Sequence, residues 1–230
     1  MDCLVRALRL PVSPRLPIRE MTLCYVTDRR ALPGSADQQV CSLLEKIETV
    51  AHAGVDWIQI REKDLPARSL ATLVEQAVAR VPRSCRILVN DRMDVAIAAG
   101  AAGVHLGGTS MPVELAKRLA TEKNLGADFF LGVSAHAWES AQAAEKSGAS
   151  YVIYGPVYET PSKKKFGPPQ GLQRLGEACE QMRIPVIAIG GITEENALPC
   201  IAAGASGIAA IRMFQDARDV AALVRKLRQG

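Results

Sequence analysis

Cationic and amide side chains in this chain directly follow short apolar runs, and their types suit the binding of phosphate esters. Gln59, Arg61 and Lys63 lie in the run Gln59-Ile60-Arg61-Glu62-Lys63-Asp64, just after Trp57 and Ile58. The period-two geometry of a strand puts these three on one side. Two cations and an amide suit a phosphate or pyrophosphate; a solvated charge cluster after a strand is the plainer reading of the same run. The next apolar run closes on Asn90-Asp91-Arg92. Asn90 can donate to phosphate oxygens, and Asp91 can hold Mg²⁺, a hard cation that takes oxygen ligands. Asn-Asp is equally a helix N-cap before Met93–Ala99.

Five further runs lead into groups that could do chemistry. His105 is flanked by apolar residues, so catalysis competes with a satisfied interior histidine, and Ser110 stands where a cap for the next helix is expected. Ser134 can donate to phosphate, and His136 can act as acid or base; helix capping accounts for both as well. No G-x-S-x-G elbow is present, which excludes a Ser-His-Asp hydrolase of that kind. The stretch from Gly155 to Gly171 is long and rich in Gly, Pro, hydroxyls and lysine. Its composition suits a lid over anions as well as an unstructured basic loop. Gly190 and Gly191 let backbone N–H groups approach a phosphate closely, and Arg212 follows the last run.

Eight apolar, β-branched runs position these residues: Leu23–Thr27, Trp57–Ile60, Arg86–Val89, Gly103–Leu106, Phe129–Gly132, Tyr151–Tyr154, Pro185–Ile189 and Gly207–Ile211. Between them apolar residues fall three or four apart, as in Leu43, Leu44, Ile47, Val50 and Ala51, or Val220, Leu223, Val224 and Leu227. Strands alternating with helices predict parallel βαβ units. The segments AHAGVDWIQI, AAGAAGVHL, KSGASYVIYG and AAGASGIAAI echo one another about every 50 residues, roughly two βα units. Each places a glycine (Gly54, Gly100, Gly148, Gly204) where a helix should end in the left-handed conformation. A doubly wound sheet is the rival, but eight evenly paced units with an even-numbered echo predict a closed (β/α)8 TIM barrel. In that fold chemistry sits at the C-terminal strand ends, with a common phosphate site after strands seven and eight.

Composition narrows the class. The chain has 230 residues, 48% hydrophobic and 23% charged, ordinary for a soluble globular protein. A net charge of +4 and 4% aromatics are too little for nucleic acid, and no apolar run approaches the ~20 residues that span a bilayer. Cys3, Cys24, Cys41, Cys85, Cys179 and Cys200 form no C-x-x-C pair, which predicts reduced thiols and a cytoplasmic protein. Residues 1–20, with Pro11, Pro14 and Pro17, read as a loose arm or as a start placed too early, with Met21 the real beginning. The barrel is expected over 21–230 as one domain. The partners expected are phosphorylated small molecules, and a homo-oligomer is compatible with the sequence.

In order along the chain, QIREKD, LVNDRMDVA, GVHLG, GVSAH, GPVYETPSKKK…QG, IPVIAIGGIT and GASGIAAI resemble the thiamine phosphate synthase family, whose superfamily also contains thiazole tautomerases. The resemblance runs from Met21 nearly to the C-terminus. The family joins hydroxymethylpyrimidine diphosphate to a thiazole phosphate and releases pyrophosphate. By resemblance, Gln59, Ile60, Arg61, Glu62, Lys63, Asn90, Ser134 and Lys163 hold the pyrimidine diphosphate, and Asp91 binds Mg²⁺. Thr160, Pro161, Ser162, Gly191, Ile211 and Arg212 meet the thiazole phosphate. Arg61, Lys63, Ser134 and Lys163 are the residues that the resemblance assigns to catalysis.

Two positions depart from the pattern. The second Mg²⁺ aspartate of the family falls where this chain has Ser110, one charge short. At the tip of strand eight a small hydroxyl residue is usual, and Arg212 stands there. Both departures keep a thiazole tautomerase in view, which needs no pyrophosphate or metal and for which His136 matches the proton-transferring residue. A catalytically silent barrel that binds thiazole phosphate is the third reading.

Overall fold

The computed structural model describes residues 21–160 and 168–229. Eight strands close in chain order into a parallel barrel: β1 Thr22–Val26, β2 Trp57–Ile60, β3 Arg86–Asn90, β4 Gly103–Leu106, β5 Phe130–Ala135, β6 Tyr151–Tyr154, β7 Val186–Ile189 and β8 Gly207–Ala210. Helices α1 Ala36–His52, α2 Ala67–Arg80, α3 Met93–Ala98, α4 Val113–Glu122, α5 Trp138–Ser147, α6 Gly171–Gln181 and α7 Ala197–Ala202 connect successive strands. A short α8 (Arg212–Gln215) and α9 (Val220–Gln229) follow β8.

Alternation along the strands splits the apolar residues into two cores. Ile58 and Ile60 of β2 belong to the large outer core, together with Leu43, Leu44 and Ile47 of α1 and Leu73 and Val74 of α2. Trp57 faces the other way and packs with Cys24, Val26, Leu88, Phe130, Tyr151, Ile153, Ile187 and Ala209. This second cluster plugs the barrel, so the polar positions one pleat further on, Gln59, Asn90, His105 and Ser134, form a floor beneath its C-terminal mouth.

The expected elements are present, and the helical stripes bury the residues that periodicity singles out. Gly54, Gly100, Gly148 and Gly204 all have positive φ; Gly148 closes α5 at φ 95° as the left-handed cap. Four strands shift from the expected bounds by one residue, and strand five differs most. Strand five runs on through Ser134 and Ala135, which pair with Ile153 and Tyr154. Small and hydroxyl residues carry little strand propensity of their own, and the apolar neighbour β6 imposes the extension. Residues 1–20 lie outside the described residues. Cys24, Cys41, Cys85, Cys179 and Cys200 are free thiols, and no helix among the described residues is long and apolar enough to cross a membrane.

Candidate active site

Two chains of hydrogen bonds cross the barrel floor. The first runs from Asp91 through Asn90 to Gln59. Asn90 Nδ2 donates to Asp91 Oδ2 at 2.6 Å, and Gln59 Nε2 donates to Asn90 Oδ1 at 2.9 Å. An ionised carboxylate only accepts, so Asp91 dictates how both amides point. The chain therefore ends on Gln59 Oε1, which is buried and has no hydrogen-bond partner among the described residues. A buried acceptor left unpaired costs about 1–3 kcal/mol, so this oxygen can take a donor from a bound group.

The second chain lies across the floor from β6 to β5. His105 Nδ1 lies 3.2 Å from Tyr151 Oη, and its Nε2 lies 2.9 Å from Ser134 Oγ. Both ring nitrogens are engaged, and burial pushes the imidazole down to about 3, so His105 is neutral at physiological pH. Tyr151 is held between Trp57, 4.7 Å between ring centroids, and Phe130 at 6.5 Å. Gly132 makes room for it: a Cβ there would fall inside the Tyr151 ring. Of the residues in this chain, sequence reasoning missed Tyr151, since an aromatic opening a strand reads as core.

Asp91 is the electrostatic centre. Its Oδ2 pairs with Lys63 Nζ at 3.0 Å. Its Oδ1 accepts from Ser110 Oγ and, at 3.3 Å, from the Gly107 amide. Partial burial raises the carboxyl, but Ser110, Lys63 and Gly107 outweigh it and hold the pKa below the usual range. Asp91 also has φ 62°, a left-handed conformation tolerated by Asp and Asn more than by other side chains. Capping explains neither residue. The α3 cap position is Arg92 and that of α4 is Pro112, both without a side-chain cap bond.

Lys63 and Arg61 are exposed beside this centre, and the Arg61 amide donates to Thr27 Oγ1 at 3.0 Å. Two of the expected diphosphate residues are committed elsewhere. Ile60 is fully buried in the outer core, so only its backbone can meet a ligand. Glu62 is 4% exposed. It accepts from Thr27 Oγ1 at 2.6 Å, from the Arg29 amide at 3.2 Å and from the Arg29 guanidinium at 3.0 Å. Pleating turns it away from Arg61 and Lys63. It ties the β1 tip to the β2 tip, and no local pattern in the sequence links Arg29 to it.

On the opposite side, Gly190 and Gly191 have φ 98° and 64°. A Cβ on Gly191 would come within 2.5 Å of the Glu159 carbonyl, so this glycine lets the β6 and β7 loops touch. Val157 and Tyr158 donate their amides to Ile189 and Gly190 across that contact, at 2.8 and 3.0 Å. Thr160 is half-buried just beyond. Ile211 packs on the inner core. Arg212 opens α8 and lines a cleft of about 570 Å³ with Thr193, Glu194 and Asp219. His136 is exposed at the end of β5, its Nδ1 2.5 Å from the Gly155 carbonyl. Pro161, Ser162 and Lys163 lie outside the described residues.

The arrangement therefore brings together Gln59, Asn90, Asp91, Ser110, Lys63 and, across the floor, Ser134. A family model described as thiamine monophosphate synthase matches residues 24–214. A putative thiamine-phosphate synthase of Geobacter sulfurreducens is 42% identical over 193 residues, covering 84% of this chain and 85% of the relative. A thiamine-phosphate synthase of Roseiflexus castenholzii is 40% identical over 204 residues, covering 88% and 84%. Among solved structures, thiamine phosphate pyrophosphorylase from Pyrococcus furiosus superposes with a TM-score of 0.77 at 33% identity, covering 91% of this chain and 94% of that one.

Proposed function

Since this chain belongs to the thiamine monophosphate synthase family, we propose that its barrel mouth joins hydroxymethylpyrimidine diphosphate to thiazole phosphate in thiamine biosynthesis. The observation that carries the reading is the chain from Asp91 to the unpaired Gln59 Oε1, with Lys63 and Arg61 alongside. An amino-bearing pyrimidine gives Gln59 its missing donor, and the diphosphate lies towards the cations.

In the reaction the C–O bond between the pyrimidine methylene and the diphosphate breaks, and its electron pair leaves on pyrophosphate. The thiazole nitrogen then uses its lone pair to form the new C–N bond. Arg61 and Lys63, with Lys163 from the loop, neutralise the charge that builds on the leaving group. Ser134 donates to the same group. Gly191, Ile211 and Arg212, with Thr160, Pro161 and Ser162, hold the thiazole phosphate within reach. The rate enhancement comes from positioning and fixed charge, without a covalent bond to the protein.

The donor set at Asp91 fits a divalent cation. One carboxylate beside the Ser110 hydroxyl is a lean site, but Mg²⁺ keeps several waters and commonly completes its shell with substrate phosphates. Bound there by Asp91 and Ser110, Mg²⁺ supplies further charge neutralisation to the pyrophosphate. The lean donor set leads to an expected result: Ser110→Asp lowers the Mg²⁺ concentration for half-maximal turnover about tenfold. The same shift is expected in a calorimetric titration of Mg²⁺ in the presence of pyrophosphate. An unchanged metal dependence places residue 110 off the metal.

Incubation of the protein with both phosphorylated substrates tests the whole reading. Thiamine phosphate and pyrophosphate are expected with Mg²⁺ and are lost with EDTA. No product at saturating substrates and high Mg²⁺ overturns the synthase, and ligand binding without turnover identifies a silent barrel. Free thiols fit a cytoplasmic setting for this chemistry.

A further inference from the structure

Ser134 does not meet its ligand alone; the hydroxyl is tied to a buried pair whose hydrogen-bond polarity can be worked out. Tyr151 is completely buried, and among the described residues its hydroxyl has one hydrogen-bond partner, His105 Nδ1. Desolvation keeps the phenol protonated, and a buried O–H without an acceptor is unfavourable. Its proton therefore goes to Nδ1. In a neutral imidazole one nitrogen accepts and the other donates, so the proton of His105 sits on Nε2 and points at Ser134 Oγ, 2.9 Å away. The Ser134 oxygen is then an acceptor towards the floor. Its own proton is left to point elsewhere, and Ser134 is half-exposed.

From this polarity we propose that Tyr151 and His105 are positioning residues that fix Ser134 as a hydrogen-bond donor towards a ligand oxygen. The opposite tautomer would turn the relay round. Nδ1–H would donate to Tyr151, the phenol proton would lose its one acceptor among the described residues, and Nε2 would capture the Ser134 proton that the ligand needs. Gly132 supports the arrangement, since any side chain there would displace the Tyr151 ring and its hydroxyl with it. The relay extends the reading of Ser134 as a diphosphate contact and rests on that reading for the identity of the ligand. The tautomer itself does not depend on it.

The tautomer is directly observable. The chain has three histidines, His52, His105 and His136, so long-range ¹H–¹⁵N spectra of labelled protein can be assigned with single substitutions. His105 is expected to carry its proton on Nε2, with Nδ1 bare; a proton on Nδ1 overturns the relay. In Tyr151→Phe both tautomers are expected, and affinity for inorganic pyrophosphate with Mg²⁺ should fall about threefold, in step with the loss of the Nε2–H form. Adding Tyr151→Phe to Ser134→Ala should then weaken binding no further. An equal loss in both backgrounds means that Tyr151 acts through packing alone and overturns the relay. Failure of the unaltered protein to bind Mg²⁺-pyrophosphate overturns the diphosphate assignment instead, and the spectra still decide the tautomer.

Discussion

Asp91→Asn is expected to lower turnover of the two-substrate reaction about 10³-fold at saturating Mg²⁺, while the thermal midpoint stays within a few degrees. Asparagine is chosen because Asp91 has φ 62°, where Asn is tolerated and alanine is strained. The fold consequences are therefore small, and the charge is what changes. Asp91 receives hydrogen bonds or charge from Asn90, Lys63, Ser110 and Gly107 together. A neutral amide supplies one acceptor oxygen and turns an NH₂ towards donors it cannot pair with. The orientation of Asn90 and Gln59 is lost with it, because the carboxylate alone determined which way those amides face. Removing one preorganised electrostatic group costs about 10²–10³, and here a cation anchor and an amide chain fail together. Steady-state turnover at several Mg²⁺ concentrations checks this. Activity within about threefold of the unaltered protein would mean that Asp91 is not the anchor.

Arg29→Met should be the most destabilising single change near the mouth. Arg29 and Glu62 are 6% and 4% exposed, and the substitution leaves the Glu62 carboxylate without its cation. Breaking a buried pair from one side costs about 3–5 kcal/mol. For a domain of this size that lowers the thermal midpoint by roughly 6–20 °C. Glu62→Gln in the same chain should recover much of the loss, since the stranded charge is gone; no recovery would show that packing of the Arg29 stem, not charge, is what matters. The network also has an acid limit. Hydrogen bonds from the Arg29 guanidinium, at 2.7 Å, pull Asp64 down from 3.8 to about 2. A carboxyl depressed in the folded state stabilises above its unfolded value, and that contribution fades as pH falls through the folded one. Between about pH 4 and 2 the thermal midpoint should fall, and Asp64→Asn should flatten part of that slope. Because Glu62, the residue after Arg61, is bonded to Thr27 and Arg29, loosening it also releases the strand tip that presents Arg61 and Lys63.

Most of the frame was legible in the chain itself. Three strands (Trp57–Ile60, Gly103–Leu106, Tyr151–Tyr154) match their apolar runs to the residue, because burial on both faces of a parallel sheet leaves a plain hydrophobic signature. Helical stripes and the four cap glycines were read equally well, since 3.6-residue periodicity and the need for positive φ are local properties. The residue types at the tips of strands two and three, and their resemblance to a known family, are those expected of an anion-binding side.

What the tertiary structure decided is which atom meets which. Ser110 lies 19 positions from Asp91, and Tyr151 lies 46 from His105. Barrel closure and strand register determine those meetings, and neither periodicity nor composition encodes them. Ile60 and Glu62 were expected to share the ligand with Arg61 and Lys63. The pleat sends the first into the outer core and the second to a buried arginine. Ser110, Asn90 and Asp91 read as helix caps as easily as site residues until packing showed them bonded to one another. The sequence by itself determined a barrel and its family resemblance; only closure of the sheet brought Asn90, Lys63, Ser110 and Gly107 together on Asp91.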